Sequence, residues 1–484
     1  MLNNFPTSRR AFLSQSAFGV GAVALAHLLN SEGLLAETVA KPGENLPLNL
    51  AARPPHAEPQ AKAMISLFMH GGPSHVDLFD PKPELSKHHG TDYSGDVAFS
   101  FVNRASKKLF GSPWKFSKQG QCGTEVSELL PHIGGIADDI CVLRSMHTGH
   151  NGHEVSIRYF HGGRPAVTGR PTLGSWLVYG LGSESQELPA YMVLSDPGGH
   201  PVDGTHNWSS GFMPPLYQGT VLRAQEPRIL NLDPPPQLRG PLQAQNLAFL
   251  KELNQRHLEQ HPGETELEAR IQTYETAAAM QTAAKEALDV SKEPAYIHKL
   301  YGLDRDVTRE YGTRCLIARR LVERGVRFVQ LFLSNQPWDN HQALRKGLTS
   351  ICSQTDQPAA ALVADLKQRG LLDSTIVHWG GEIGRLPVCE GALDDSAGRD
   401  HNGQGFSIWM AGGGIRGGMT YGETDEVGHK AAVNVVTPND FQATILHQFG
   451  LSPEKLVYYS NGRAQHLIDD RPAHVVREII RQPG

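Results

Sequence analysis

Cysteine is scarce in this sequence, and what little there is carries no recognisable chemistry. The 484 residues include five cysteines, none of them in a CxxC spacing and none placed as a nucleophile. An exported chain could form one or two disulfides from an odd set of five, but the pairing cannot be read from the sequence. The five are Cys122, Cys141, Cys315, Cys352 and Cys389.

An excess of charge of one sign is also missing. The formal net charge is −5, with 20% charged and 39% hydrophobic residues. This balance argues against a nucleic-acid-binding protein and against a polybasic membrane-binding protein. Glycine and proline are plentiful, at 50 and 32 residues. They predict long, turn-rich connections, which is where functional residues tend to lie.

The N-terminus lacks an apolar run long enough for an ordinary membrane span. Residues 7–13 read TSRRAFL, a twin-arginine pattern built on Arg9 and Arg10, and the apolar run that follows covers only residues 18–29. A span needs about 20 apolar residues. The pattern therefore predicts export through the twin-arginine machinery to the periplasm or the extracellular space. Cleavage near Ala36 or Ala40 and retention as an inner-membrane anchor both stay open.

We divide the chain on this basis into three parts. Residues 1–40 form the signal segment, and residues 41–62 are a Pro-rich linker or surface arm. Residues 63–484 form one α/β domain that includes a helical insertion at residues 240–290. The insertion is predicted from apolar residues at helical spacing in residues 242–260 and 267–288, which together indicate a helical hairpin.

Polar side chains follow or precede several apolar runs of strand length. They are His70 and Asp77 after residues 63–69, Asp339 and His341 after residues 326–333, Glu382 after residues 374–379, and His401 ahead of residues 406–410. Open α/β sheets hold ligands beyond the carboxyl ends of their strands. Asp339 with His341, and Glu382 with His401, combine carboxylate and imidazole groups, which suit a divalent ion such as Zn²⁺ or Mn²⁺. A salt-bridged surface loop is the alternative interpretation.

A further polar cluster, residues 144–156, follows the short predicted strand 140–143. It includes Thr148, His150 and His153. Helices are predicted over residues 126–137, 172–180, 315–324, 347–369 and 441–449, and a further strand over residues 191–194. Residues 84–120 are predicted to form an irregular excursion, and residues 197–239 a loop-dominated binding wall.

The order of these parts resembles the alkaline phosphatase and sulfatase superfamily. Residues 373–377 read DSTIV, as in the sulfatase motif that carries metal ligands, and Glu382 falls on the Asp position of that motif. Ile383 stands where the motif has His, and Gly384 keeps its Gly. The whole chain resembles the exported DUF1501 family, often called sulfatase-like. The resemblance implies a central sheet flanked by helices and a divalent metal ion, whether Zn, Mn, Ca or Mg. Carried over by position, it implies as metal ligands Asp77 with His70 nearby, then Asp339, His341, Glu382 and His401.

The resemblance implies hydrolysis of a sulfate or phosphate ester, carried by a small molecule or a glycan. The Cys-x-Pro-Ser-Arg signature of formylglycine sulfatases is absent. We therefore expect an ion-activated water as nucleophile, with His153 and His150 moving protons, rather than a covalent route through Thr148. The alternative is a non-catalytic member that binds an extracellular glycan or a surface partner.

Overall fold

A computed structural model describes residues 44–100, 102–185, 187–261, 264–469 and 471–481. The predicted twin-arginine segment lies outside these residues. The chain divides into two units, residues 1–46 and 47–484, and the fold below is that of the second unit. Among the residues described, no helix combines the length and the apolar character needed to cross a membrane.

An eight-stranded sheet forms the centre of the fold. Its strands in chain order are β1 (Ala63–Phe68), β2 (Ile140–Met146), β3 (Tyr191–Leu194), β4 (Thr220–Leu222), β5 (Phe328–Phe332), β6 (Thr375–Gly380), β7 (Phe406–Ala411) and β8 (Met419–Tyr421). Their order across the sheet is β8-β2-β7-β6-β1-β5-β3-β4. β1, β5, β6 and β7 are buried along their whole length, as expected for central strands covered on both faces.

Strand direction decides which chain ends meet. Seven strands run parallel to one another, whereas β7 is antiparallel to both of its neighbours, β2 and β6. The start of β7 therefore lies at the same edge of the sheet as the carboxyl ends of β1, β5 and β6. Residues that precede β7 can thus meet residues that follow the other strands.

Helices flank the sheet. The long ones are α1 (His153–Gly162), α2 (Leu173–Leu181), α3 (Pro241–Gln260), α4 (Thr265–Leu288), α5 (Asp306–Val322), α6 (Leu344–Gln368) and α7 (Pro438–Gln448). Short helices cover His75–Leu78, Pro83–Lys87, Pro131–Gly134 and Ala295–Leu300. The predicted α/β class is confirmed, as are a central sheet flanked by helices and a helical hairpin, here α3 and α4.

Small two-stranded ladders lie outside the main sheet. They pair Ala105–Leu109 with Val388–Glu390, Phe116–Gln119 with Thr124–Ser127, Gly384–Arg385 with His401–Asn402, Glu423–Thr424 with Ala431–Val433, and Tyr458–Ser460 with Arg463–Gln465. The excursion, residues 84–120, thus contains regular structure where an irregular segment was predicted. All five cysteines are free thiols.

The predicted helix over residues 126–137 is wrong. Thr124–Ser127 is a strand, and only Pro131–Gly134 is helical. Pro131 begins this helix because a proline at the first turn needs no N–H partner. Gly134 and Gly135 follow within one turn, and their low helix propensity favours an early end.

Candidate functional site

The carboxyl edge of the sheet brings together side chains from five segments. His70 follows β1, Asp339 and His341 follow β5, Glu382 follows β6, His401 precedes β7, and His153 is the first residue of α1. Two glycines after β1 allow the close approach. A Cβ on Gly71 would lie 2.8 Å from the backbone nitrogen of Asp339, and one on Gly72 would lie 2.7 Å from the carbonyl oxygen of Ile383. Both have positive φ, at +107° and +81°, so glycine is required there.

Asp339 lies at the centre of the cluster. Its Oδ1 is 2.9 Å from Nε2 of His341 and 3.2 Å from Nε2 of His401, and it also pairs with the buried Arg385. The two imidazole Nε2 atoms are themselves 2.9 Å apart. The described residues contain two sets of potential ligands, and within each set the ligand atoms lie within 4.8 Å of one another. One set is His153, Asp339 and His401, and the other is His341, Asp400 and His401. His401 belongs to both sets, so these residues could hold a metal ion.

The pKa values of this cluster show how it shares protons without an ion. Burial alone would raise the pKa of Asp339, but hydrogen bonds from His153, His341 and His401 and the charge of Arg385 lower it. Burial lowers the pKa of His401 to about 4. The pKa of His341 is raised, because its hydrogen bonds to Asp339 and Glu390 outweigh its burial. Without an ion, the raised pKa favours the protonated form of His341, whereas His401 is neutral at pH 7.

Glu382 is fully buried and holds His153. Its Oε1 is 2.6 Å from Nδ1 of His153, and its two oxygens accept the backbone N–H of Gly71 at 3.1 and 3.3 Å. Burial alone would lower the pKa of His153. Hydrogen bonds to Asp339 and Glu382 outweigh it and raise the pKa to about 9. Nε2 of His153 faces Oδ2 of Asp339 at 3.5 Å, a long contact in which the two groups form an ion pair.

His70 is buried beside this pair. Neither of its ring nitrogens has a hydrogen-bond partner among the described residues, and its ring centre is 6.4 Å from that of His153. Burial lowers the pKa of His70, so the ring is neutral at pH 7. Buried polar groups in folded proteins almost always have partners, and exceptions call for an unseen water, ion or ligand. His70 is thus a buried, neutral imidazole next to His153.

A second ring of residues surrounds the two histidines that flank Asp339. Glu390 accepts a hydrogen bond from Nδ1 of His341, and Nη1 of Arg104 pairs with Glu390 at 3.2 Å. Oγ of Ser100 lies 3.3 Å from Nδ1 of His401. The sequence predictions missed Ser100, Arg104, Arg385 and Glu390. No spacing signal identifies them, because they come from the excursion and from short ladders.

Three predicted site residues are placed elsewhere. Asp77 is bound by Arg399, whose Nε and Nη2 lie 2.8 and 3.1 Å from its two oxygens. Thr148 directs its hydroxyl towards the carbonyl oxygens of His150 and Gly403, at 3.2 and 3.4 Å. His150 belongs to neither of the two sets of ligand atoms found among the described residues. Burial lowers the pKa of His150, which leaves it neutral at pH 7.

Comparison with known proteins gives distant structural similarities. A phosphonate monoester hydrolase from Silicibacter pomeroyi is 11% identical at a TM-score of 0.34, covering 73% of this chain and 72% of its own. A sulfatase from Pseudoalteromonas sp. is 14% identical at 0.32, over 67% and 63%. The lipoteichoic acid synthase of Listeria monocytogenes is 8% identical at 0.35, over 87% and 79%.

No curated protein matches the sequence. The family model described as "Protein of unknown function (DUF1501)" matches residues 61–480, which is most of the chain. The chain belongs to the DUF1501 family.

Proposed function

We propose that this chain is a hydrolase of phosphate or sulfate esters that works with one divalent metal ion held by Asp339, His341 and His401. The observation that carries the proposal is the convergence of one carboxylate oxygen and two imidazole nitrogens within 3.2 Å of one another. Lone pairs that face one point repel each other unless a proton or a cation lies between them. Two nitrogens and one carboxylate oxygen suit Zn²⁺ or a similar ion better than Ca²⁺ or Mg²⁺.

The surroundings of the three ligands fit such an ion. Metal-binding histidines usually donate their other ring N–H to a carboxylate or a similar acceptor. His341 has this arrangement with the buried Glu390. Asp339 is the anionic ligand of the three, and the charge of the nearby Glu382 is matched by His153.

Each remaining residue has a distinct task in this proposal. When bound, a divalent ion would act as a Lewis acid on the ester and acidify a water molecule. His153, held by Glu382, can donate a proton to a leaving oxygen or take one from an attacking water. Arg385 fixes Asp339 by binding its Oδ1, and it also binds the carbonyl oxygens of Gly71 and Gly72.

The structure gives one reason to keep a non-catalytic alternative. The hydroxyl of Thr148 donates to the carbonyl oxygens of His150 and Gly403, so it does not point towards a substrate as a nucleophile would. A member of this kind would keep the ion and bind an extracellular glycan or surface partner without turnover.

One experiment separates the two. The purified full chain is stripped with a chelator, reloaded with Zn²⁺ or Mn²⁺, analysed for metal per chain, and assayed with aryl phosphates, phosphodiesters and aryl sulfates. We expect about one ion per chain, its loss in His401→Ala and Asp339→Asn, and hydrolysis that depends on the ion. His206→Ala, at an exposed histidine, is the matched control.

The outcomes decide between the candidates. A chain that binds the ion but hydrolyses none of these esters supports the binding protein. A wild-type chain that holds no ion after reloading contradicts both the metal site and the proposed chemistry.

A further inference from the structure

Two side chains of the excursion reach the outer side of the candidate metal site. Nη2 of Arg104 donates to the carbonyl oxygen of His341 at 3.1 Å, while its Nη1 pairs with Glu390 at 3.2 Å. The backbone N–H of Ser100 donates to Asp400 at 2.7 Å, while its Oγ lies 3.3 Å from Nδ1 of His401. One stretch of chain thus reaches Nδ1 of His401 directly, through Ser100, and Nδ1 of His341 indirectly, through Glu390.

The hydrogen bonds of a histidine decide which of its nitrogens can bind a metal ion. A neutral imidazole carries one N–H, and the nitrogen without it offers a lone pair. An ionised carboxylate only accepts hydrogen bonds, so Nδ1 of His341 must carry the N–H that donates to Glu390. Arg104 supplies the positive charge next to Glu390, which has only 1% of its surface exposed. With this N–H held on Nδ1, Nε2 is the nitrogen that faces Asp339, and an ion could bind there in place of any proton on Nε2.

The same reasoning applies to His401. Nε2 of His401 faces Asp339 and His341, where a second N–H would exclude an ion. Oγ of Ser100 can accept a hydrogen bond from Nδ1, which places the single N–H on the outer side.

We propose that Ser100, Arg104 and Glu390 are positioning residues that keep the proton of His341 and of His401 on Nδ1, so that both Nε2 atoms are available to a cation. On this proposal the excursion, residues 84–120, contributes to ion binding. The proposal rests on the proposed metal site for its purpose, but the location of the protons can be measured without any metal.

The first readout is nuclear magnetic resonance of the chelator-treated full chain with ¹⁵N-labelled histidine. The signals are assigned with His341→Gln and His401→Gln. We expect Nδ1 to be protonated in both histidines of the wild type. Arg104→Gln and Glu390→Ala should move the proton of His341 off Nδ1 in a substantial fraction of molecules, and Ser100→Ala should do so for His401.

The second readout is the affinity for Zn²⁺, measured by competition with a chromophoric chelator. Loss of an outer partner of a metal-bound histidine typically weakens binding about 10- to 100-fold. We expect losses of this order in Arg104→Gln, Glu390→Ala and Ser100→Ala, with partial rescue in Glu390→Gln, whose amide oxygen can still accept from Nδ1. Lys108→Ala is the control, because Lys108 also lies in the excursion but pairs with the exposed Asp92.

The two proposals fail in different ways. If the wild type binds no Zn²⁺ but the variants move the protons, the metal site is wrong and the positioning role stands. If the wild type binds Zn²⁺ and the three variants match Lys108→Ala in both readouts, the positioning role is overturned and the metal site stands. Arg104 is partly exposed, so Arg104→Gln tests the idea even if Glu390→Ala fails to fold.

Discussion

Nδ1 of His153 lies 2.6 Å from Oε1 of Glu382, and this carboxylate has no exposed surface. The histidine is the first residue of α1 and the glutamate follows β6, so a contact between residues 229 positions apart joins a helix start to a strand end. The pair stays charged because each partner stabilises the ionised form of the other. His153 therefore lies beside the proposed ion site with a proton to give over most of the physiological pH range.

Glu382→Gln should lower the pKa of His153 from about 9 towards its ordinary value, since burial and the charge of Arg385 would then be opposed by Asp339 without the charge of Glu382. A raised folded-state pKa stabilises the fold fully below about 6.5, and this contribution is lost as the pH rises through about 9. We expect the chelator-treated wild type to lose about 3 kcal/mol of unfolding free energy over that range through this group. The variant should show a smaller loss over the same range.

Denaturant unfolding at pH 6 and at pH 10 measures the difference. Glu154→Gln is the control, because Glu154 is the exposed neighbour of His153 and does not contact Glu382. Equal pH dependence in the wild type and Glu382→Gln would contradict the charged pair.

Asp77→Asn should destabilise the fold without changing the metal content. Asp77 and Arg399 are both fully buried and joined by two hydrogen bonds. Removing one partner of a buried pair leaves an uncompensated charge, which typically costs about 3–5 kcal/mol. Chemical denaturation and elemental analysis test the two parts separately. Asp373→Asn, in the exposed pair with Arg481, should cost less than about 1 kcal/mol.

A loss of bound metal in Asp77→Asn, at unchanged stability, would instead support the metal-ligand role first predicted for Asp77. That prediction came from position alone, because Asp77 follows the first core strand. Its partner Arg399 lies 322 residues later in the chain, and sequence spacing does not predict a pair so far apart.

The sequence predicted the strand ends of the site because each is a local signal. An apolar run that stops at Gly-Gly, as at Gly71 and Gly72, is visible without knowledge of the fold. Glu382 and His401 were expected to meet from neighbouring strands, and β6 and β7 are neighbours. The antiparallel direction of β7 brings them to one edge, and strand direction is not encoded in a single segment.

The outer residues of the site could not be predicted for a related reason. Glu390 lies in a three-residue strand that pairs with the excursion, and such short ladders have no periodicity to detect. The same limit explains the wrong helix over residues 126–137. There, apolar spacing suggested one element, and the Pro131 helix start divided it into two.

Export should depend on Arg9 and Arg10. The apolar run after them is short and rich in Gly and Ala, so recognition must rest on the arginine pair. Replacement of both by Lys should abolish appearance of the full chain outside the cytoplasm, as followed by cell fractionation and immunoblotting. Lys41→Arg is a matched control outside the motif. Export of the double variant at the normal rate in cells without the twin-arginine pathway would refute the prediction.

His378 should make the fold sensitive to acid. It lies in the middle of β6 with no exposed surface, its Nδ1 is 3.1 Å from Oγ of Ser66, and its ring stacks on Phe160 with centres 5.4 Å apart. Burial, followed by the charge of His161, lowers its pKa to about 3. The folded state therefore keeps this histidine neutral, while the unfolded chain takes up a proton below about pH 6.5. Stability is present above that pH and is lost as the pH falls from 6.5 towards 3.

The expected loss is about 1.4 kcal/mol for each pH unit in that window, or roughly 3 kcal/mol at pH 4.5. His378→Gln keeps a polar group for Ser66 but cannot be protonated. Between pH 7 and pH 4.5 its unfolding free energy should therefore fall by roughly 3 kcal/mol less than that of the wild type. Urea unfolding at pH 7 and pH 4.5 gives both values. His206→Gln changes an exposed histidine and should follow the wild type. If His378→Gln loses as much stability as the wild type between the two pH values, the buried neutral histidine is not a source of acid sensitivity.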